Sequence, residues 1–484
     1  MIFNLFKVFV LPVILIIVNI FLWLDRSSLP YQYQSMWLLP MTFILIYILL
    51  FIPMSNKINR YKITFWSFYT LMMIRLVIIP LSIYLSKNFE YLTYVEVSKD
   101  NINLSIYLLV IEAVISSTFL HFYLMVKDDV AFKKFRNTSD YIRIKGSKGF
   151  YILFIIVSTI ILLISGKTGE LLNFIIINVS SNSQRFGDAS TTYMFFLKQI
   201  IFLAAMFTFL ILVDTFAKEY RKNHAVRYYL FALMISMTYI GLIIGERRSN
   251  QLYIGVITIL VLNLLFPHFK KITVYVLSFV SLFIILLMSI YKHFYVFRSG
   301  SYIDTLQQSN LNLMEISNNL QLYALGLDNV GLSIQFSELF EGNLLYVIYE
   351  NIRSIFGMSF LLNNDLEFTS SMFNSFVYNA SVSSGHLLSS AGYGYIHLGT
   401  FFFMISIFNL LISLTFENLL HETNTLELKF LYAFVVVRFA TNIFSSTPAL
   451  LNLSSIVIIS GGILYTFSII IKKSNKIVLL GDVK

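Results

Sequence analysis

The chain has 484 residues, of which 57% are hydrophobic and only 12% charged, and its 35 Lys and Arg outnumber 25 Asp and Glu for a formal net charge of +10. So small a polar fraction cannot cover two or three water-facing domains, which excludes a multidomain soluble protein. Cysteine is absent, which excludes disulfides, thiolate nucleophiles, iron–sulfur clusters and cysteine-ligated zinc.

Apolar windows of about 18 residues or more recur along the chain, the length a helix needs to cross about 30 Å of hydrocarbon. They run continuously instead of alternating in short segments, which points to helices and against a β-barrel. The predicted fold class is all-α, a polytopic helical membrane protein with about twelve transmembrane helices. Lys7 precedes the first apolar run with no small-residue cleavage site after it, the pattern of an uncleaved signal anchor. The predicted spans are 4–24, 35–54, 63–86, 102–126, 149–166, 193–213, 228–244, 249–266, 272–291, 396–416, 430–447 and 452–471. The short apolar piece Leu171–Val179 is too brief to cross and is expected to be re-entrant or interfacial.

Charge alternates between successive loops. Lys7, the loops 55–62, 127–148, 214–227, 267–271 and 417–429, and the tail from Lys472 hold 22 basic and 9 acidic residues, whereas the opposite set holds 10 basic and 15 acidic. Positively charged loops stay inside, so both termini are expected in the cytoplasm and the long polar interval 292–395 outside. This gives a bundle of about nine spans over 1–291, an extracytoplasmic cap over 292–395, and about three spans with a cytoplasmic tail over 396–484. Within the cap, 343–362 is almost long enough to span; crossing would bury Glu350 and Arg353, so an amphipathic helix resting on the outer surface is expected instead. The net positive charge follows topology and implies no nucleic-acid partner; the lipid bilayer is the partner that composition demands.

Several charges fall where lipid should be. Arg75 in the third span and Glu112 in the fourth lie at similar depth on antiparallel neighbours, so they are expected to pair, either as a structural ion pair or with a proton- or substrate-linked role. Gly245-Glu246-Arg247-Arg248-Ser249 forms a whole outward turn, where two adjacent arginines run against the positive-inside tendency. Planar, permanently charged guanidiniums suit phosphate oxygens, so Arg247 and Arg248 are candidate diphosphate ligands, with lipid-headgroup anchoring as the alternative. Arg185, Arg298 and Arg353 in outward loops, and Arg438 in the eleventh span, could join them. For proton transfer the outward loops offer His386, set among small residues, and His293 at the membrane edge; Asp304, Glu338, Glu341 and Glu350 are rival bases. No nucleotide-binding Gly-rich loop, nucleophile elbow or zinc-protease motif occurs, and Asn363-Asn364-Asp365 alone does not make a metal site. No internal repeat is visible, which weakens the case for a transporter of two matching halves.

The many-span architecture, the large outward loop towards the C-terminal part, the Arg-bearing turn Gly245-Glu-Arg-Arg-Ser249 and the junction Leu387-Leu-Ser-Ser-Ala-Gly-Tyr-Gly-Tyr-Ile-His-Leu-Gly399 together resemble the Wzy-type O-antigen and capsular oligosaccharide repeat-unit polymerases. The resemblance implies a GT-C-like membrane glycosyltransferase that joins polyprenyl-diphosphate-linked oligosaccharides on the outer face of a bacterial cytoplasmic membrane. Under it, Arg247 and Arg248, supported by Arg185, Arg298 or Arg353, stabilise the diphosphate leaving group, and His386, Glu246 or Glu338 serves as the base for the acceptor hydroxyl. No nucleotide sugar is required, because the activated donor already carries its lipid diphosphate, and no cofactor or metal is expected. A chain-length regulator is an open further partner. A lipid-linked oligosaccharide flippase and an O-antigen-ligase-like glycosyltransferase are the alternative functions.

Overall fold

A computed structural model describes the chain except for residues 1–5, 88, 90–94, 135–141, 176–191, 245–247, 298–316, 318–319, 322–323, 363–365, 379–387 and 482–484; the statements below concern the described residues. Nine helices among them are long and apolar enough to cross a membrane: α1 (Lys7–Ser28), α2 (Tyr31–Ser55), α3 (Lys62–Ser86), α4 (Lys99–Lys127), α5 (Lys148–Ser165), α6 (Tyr193–Asn223), α9 (Pro267–Met288), α14 (Met404–Glu422) and α16 (Thr447–Ser474). Each coincides with a predicted span. The remaining three predicted spans fall on shorter apolar stretches, α7 (Val226–Gly241), α8 (Arg248–Leu265) and α15 (Leu426–Ala440). Four short helices lie between α9 and α14: α10 (Leu327–Ser337), α11 (Leu344–Ser354), α12 (Thr369–Tyr378) and α13 (Ser390–Leu398).

Local sequence explains where these helices start, bend and stop. A proline lacks the N–H that closes the helical ladder, and Pro12, Pro53 and Pro80 each follow a five-residue π turn, at Phe6–Val10, Tyr47–Phe51 and Ile74–Ile78. The third of these wide turns carries Arg75. Side-chain caps start α5, where Ser147 accepts from the Phe150 amide, and α11, where Asn343 accepts from that of Tyr346. Gly166, at φ 66°, ends α5 in the left-handed conformation that glycine tolerates.

Two boundaries differ from the sequence prediction. The seventh span was expected to run to 244, but α7 stops at Gly241 and Leu242–Ile244 forms a strand antiparallel to Leu172–Phe174, with Leu172 opposite Ile244. The Gln251 amide explains part of this, donating to the Ile240 and Leu242 carbonyls at 2.8 and 3.0 Å where the helix ends. The apolar piece at 171–179 is thus a pairing strand over its first residues. The tenth span was expected from 396, yet α13 ends at Gly399, φ 54°, and α14 begins at Met404. This break lets Gly394 pack against the Phe402 backbone. A Cβ on Gly394 would lie 2.2 Å from the Phe402 carbonyl oxygen, whereas one on Gly462 would meet nothing within 4 Å. Gly394→Ala is therefore expected to reduce the yield of folded, detergent-extracted protein sharply while Gly462→Ala leaves it unchanged or raised, as size-exclusion profiles would register.

The chain divides into two compact units, one of residues 1–137, 310–418 and 438–453, the other of 138–309, 419–437 and 454–484. In the first, an aromatic stack through Tyr47, Phe51 and Phe65 packs α2 on α3, with ring centroids 4.6 and 5.3 Å apart. Glu417 of α14, fully buried, accepts the Ile63 and Thr64 amides at 2.8 and 3.0 Å and so caps the start of α3. In the second, Tyr151 stacks on Phe207 at 4.2 Å and Phe209 on Tyr239 at 4.7 Å, joining α5 to α6 and α6 to α7.

Within each unit, loops assigned to one side of the membrane come together. In the first unit Lys7 reaches Ser55 and Asn56, and Arg60 reaches the Asn418 carbonyl, all from predicted inward segments; Ser98 and Gln335 meet from predicted outward ones. In the second unit Leu426 donates to the Arg143 carbonyl, Lys472 to that of Lys145 and Arg221 to that of Ile142, again joining inward segments. Single cysteines placed in this cysteine-free chain at exposed Asn59 and exposed Glu341 are expected to react with an impermeant maleimide from opposite sides, Glu341→Cys from outside intact cells.

Candidate functional site

Two of the buried polar clusters in the first unit are built on α13. Arg75 and Glu112 form the anticipated ion pair, Nη1 to Oε2 at 2.5 Å, with relative exposures of 3% and 0%. The π turn at Ile74–Ile78 places the guanidinium over the Phe444 ring at 4.8 Å, where its Nε donates to the Leu325 carbonyl at 2.9 Å. The other carboxylate oxygen of Glu112 accepts from Ser390 Oγ at 2.6 Å and from Ser406 Oγ. Charges at membrane depth are tolerated when paired and hydrogen-bonded in this way.

The second cluster lies one to two turns further along α13. Glu350 of α11 is 2% exposed; its Oε2 accepts from Tyr393 Oη at 2.6 Å and its Oε1 from the Thr369 amide at 2.5 Å. Thr369 Oγ1 lies 2.9 Å from His397 Nε2, and Tyr346 stacks on the His397 ring at 5.5 Å. Gly342 is packed so closely that a Cβ there would lie 2.0 Å from His397 Nδ1. Helical spacing explains the convergence, because Tyr393 and His397 are four residues apart on one face of α13.

Burial sets the protonation states of this cluster. It pushes the Glu350 carboxyl above its ordinary range, although hydrogen bonds from Tyr393 and Thr369 and the nearby Arg353 charge pull the other way. It lowers His397 to about 4, so the imidazole is neutral at physiological pH. It raises Tyr393, with the Glu350 charge adding to the shift, which keeps the phenol protonated as a donor. The arrangement is a buried carboxyl held by a tyrosine and a backbone amide. Arg353 follows it by three residues on the same helix, its guanidinium over the Phe368 ring at 4.6 Å and its Nη1 donating to the Leu366 carbonyl.

A third carboxylate, Asp328 in the first turn of α10, is 2% exposed and lies 3.4 Å from Tyr33 Oη. Burial raises it to about 7, outweighing the hydrogen bonds from Tyr33 and Gln321. The native state therefore holds this proton more tightly than the unfolded chain does. The stabilisation is complete below about pH 4, the ordinary aspartate range, and is lost as pH rises through about 7. Thermal unfolding of the purified protein between these limits should lose this pH dependence in Asp328→Asn.

The predicted site residues distribute unevenly. His386, Glu246, Arg247, Arg185 and Arg298, with Asp304 and Asn363-Asn364-Asp365, lie outside the described residues. Arg248 is the first residue of α8. Glu338 is exposed at the C-terminal end of α10. Arg438 donates to the Ala449 and Leu450 carbonyls at 2.6 and 3.1 Å, a backbone-capping use the cation-cluster reading did not anticipate. Among the candidate bases, Glu350 is the one placed in a buried, hydrogen-bonded cluster. It lies on the amphipathic helix expected at 343–362, which ends at Ser354 and turns Leu344, Leu345, Ile348 and Ile352 outward while burying Val347, Glu350 and Ser354.

Tyr393, His397, Thr369, Ser390 and Ser406 were not singled out individually by sequence reasoning. Their one advance signal was that three of them belong to the Ser/Gly/Tyr-containing run before Gly399. Among the described residues no group of three or more His, Asp or Glu is arranged to hold a metal ion.

The class that fold and composition define is a polytopic helical membrane protein. Comparison with protein-family models, with curated protein sequences and with solved structures found no match for the chain.

Proposed function

We propose that the chain is a polymerase that joins polyprenyl-diphosphate-linked oligosaccharide repeat units into O-antigen or capsular polysaccharide on the outer face of a bacterial cytoplasmic membrane. The observation that carries this reading is Glu350, a buried carboxylate of raised pKa, three residues before Arg353 in the polar interval between membrane-crossing helices. Acid–base and anion-binding groups placed together at a bilayer suit transfer from a lipid diphosphate. The many apolar helices and the resemblance of the junction around Tyr393 to that of repeat-unit polymerases support the same reading.

In this reaction an acceptor sugar hydroxyl attacks the anomeric carbon of the donor. The new glycosidic bond forms as the bond to the polyprenyl diphosphate breaks, the leaving group departs with the bonding electron pair, and the hydroxyl proton passes to Glu350. Arg353, three residues after Glu350 on the same helix, balances the charge that grows on the diphosphate. Because the acceptor of the proton must be ionised, elongation falls as pH drops through the raised pKa of Glu350.

The test is reconstitution in nanodiscs with lipid-linked repeat units and neither nucleotide sugar nor ATP. Multimers of the repeat unit on lipid support the reading. Unchanged single units, or their movement across a bilayer without joining, would overturn it in favour of no transfer activity or of a flippase.

A further inference from the structure

Helix α13 is held at two points, its first residue and its middle, by acidic residues from different helices. At its start, Ser389 Oγ accepts the Gly392 amide at 3.0 Å, the Ser389 amide donates to Asn329 Oδ1 at 3.0 Å, and Ser390 Oγ donates to Glu112 at 2.6 Å. Three residues further, Tyr393 Oη donates to Glu350 at 2.6 Å. Close glycine contacts fix the flanks, since a Cβ on Gly392 would lie 2.2 Å from Ser333 Oγ and one on Gly394 would meet the Phe402 backbone. A helix gripped in this way cannot slide or turn at one of these points without moving the other, as packed elements shift between discrete arrangements and do not deform smoothly.

We propose that Glu112, held by Arg75 within the membrane-spanning helices, is a positioning residue for Glu350 and acts through α13, fixing Ser390 so that Tyr393 meets the Glu350 carboxylate. This rests on the reading of Glu350 as the proton acceptor, and it adds an intramembrane ion pair as the device that sets its working state. The groups facing Glu350 are Arg353 and Tyr346 on its own helix, Thr369 at the start of α12, and Tyr393 on α13, with His397 one turn beyond. Of these, the Tyr393 hydroxyl and the Thr369 amide bond directly to the carboxylate. Loss of the Tyr393 bond removes a stabiliser of the charged form and moves the Glu350 midpoint upward.

The experiment follows the protonation of Glu350 in the full-length protein in nanodiscs by infrared difference spectroscopy across pH, its band assigned by the Glu350→Gln variant. Tyr393→Phe should move the midpoint upward. Ser390→Ala, which removes the Ser390–Glu112 bond, should move it in the same direction, while Ser406→Ala, which removes one bond to Glu112 and one to Ser390 but keeps the Ser390–Glu112 bond, should move it less. A midpoint unchanged in Ser390→Ala, or displaced equally in Ser406→Ala, would overturn the coupling. The readout needs no transfer activity, so its failure leaves the polymerase reading standing, and failure of elongation in reconstitution leaves this coupling standing.

Discussion

On the proposed polymerase reading, Glu350→Gln is expected to lower repeat-unit elongation by about 10²–10⁴-fold, the range that a positioned general base contributes. Glutamine preserves the shape of the side chain and keeps one acceptor oxygen, for Tyr393 or for the Thr369 amide but not both, so insertion is retained and the loss falls mainly on proton transfer. The expected cellular phenotype is single repeat units on the surface in place of long chains, read by gel separation of extracted glycan. The buried setting sharpens the contrast with exposed acidic residues of the same interval. Glu338 is exposed after α10, whereas Glu350 is buried against Tyr393, so Glu338→Gln should retain near-normal chain length.

Glu112→Leu should destabilise the protein by about 3–5 kcal/mol, because it leaves Arg75 as a buried charge without its carboxylate partner. Arg75 is 3% exposed, and the Leu325 carbonyl and the Phe444 ring face cannot neutralise it. Removing both charges in Arg75→Met/Glu112→Leu should recover most of the loss, since replacing a buried pair by apolar residues of similar volume is close to neutral. Thermal unfolding of the two single variants and the double variant in detergent closes this cycle. A double variant as unstable as the sum of the singles would show that the two side chains contribute separately.

How much of this was legible in sequence depends on how local the signal is. Membrane-crossing helices announce themselves in a single window of apolar residues, and each of the nine long apolar helices coincided with a predicted span. The Arg75–Glu112 pair was legible for a related reason: charge inside an apolar run is conspicuous, and antiparallel neighbours joined by a short loop put the two at similar depth. The end of α7 at Gly241 was not, because Leu242-Ile-Ile244 is as apolar as the helix before it and becomes a strand through pairing with residues about seventy positions earlier. Nor was the break at Gly399, where apolar residues continue on both sides.

The polar cluster was harder still. Glu350 stood in the sequence as one of several acidic residues in the cap, and what distinguishes it is burial against Tyr393, 43 residues away. Tyr393 and His397 carry no signature beyond a run of small and aromatic residues, and His397 stands just before the helix-breaking Gly399. The histidine preferred from sequence, His386, was chosen for its small-residue surroundings. His386 lies outside the described residues; among those described, packing gives a hydrogen-bonded position to His397, whose neutrality follows from burial among aromatic rings.

The central claim, that this chain elongates lipid-linked repeat units at the outer membrane face, is tested most directly in a strain deleted for it and complemented with the wild-type chain or Glu350→Gln. The measurement is the length of surface glycan together with the sidedness of lipid-linked intermediates. The account predicts that deletion and Glu350→Gln strains accumulate single repeat units on the outer face and carry short glycan, with long chains restored by the wild type. Accumulation of repeat units facing the cytoplasm, or long glycan in the deletion strain, would contradict it.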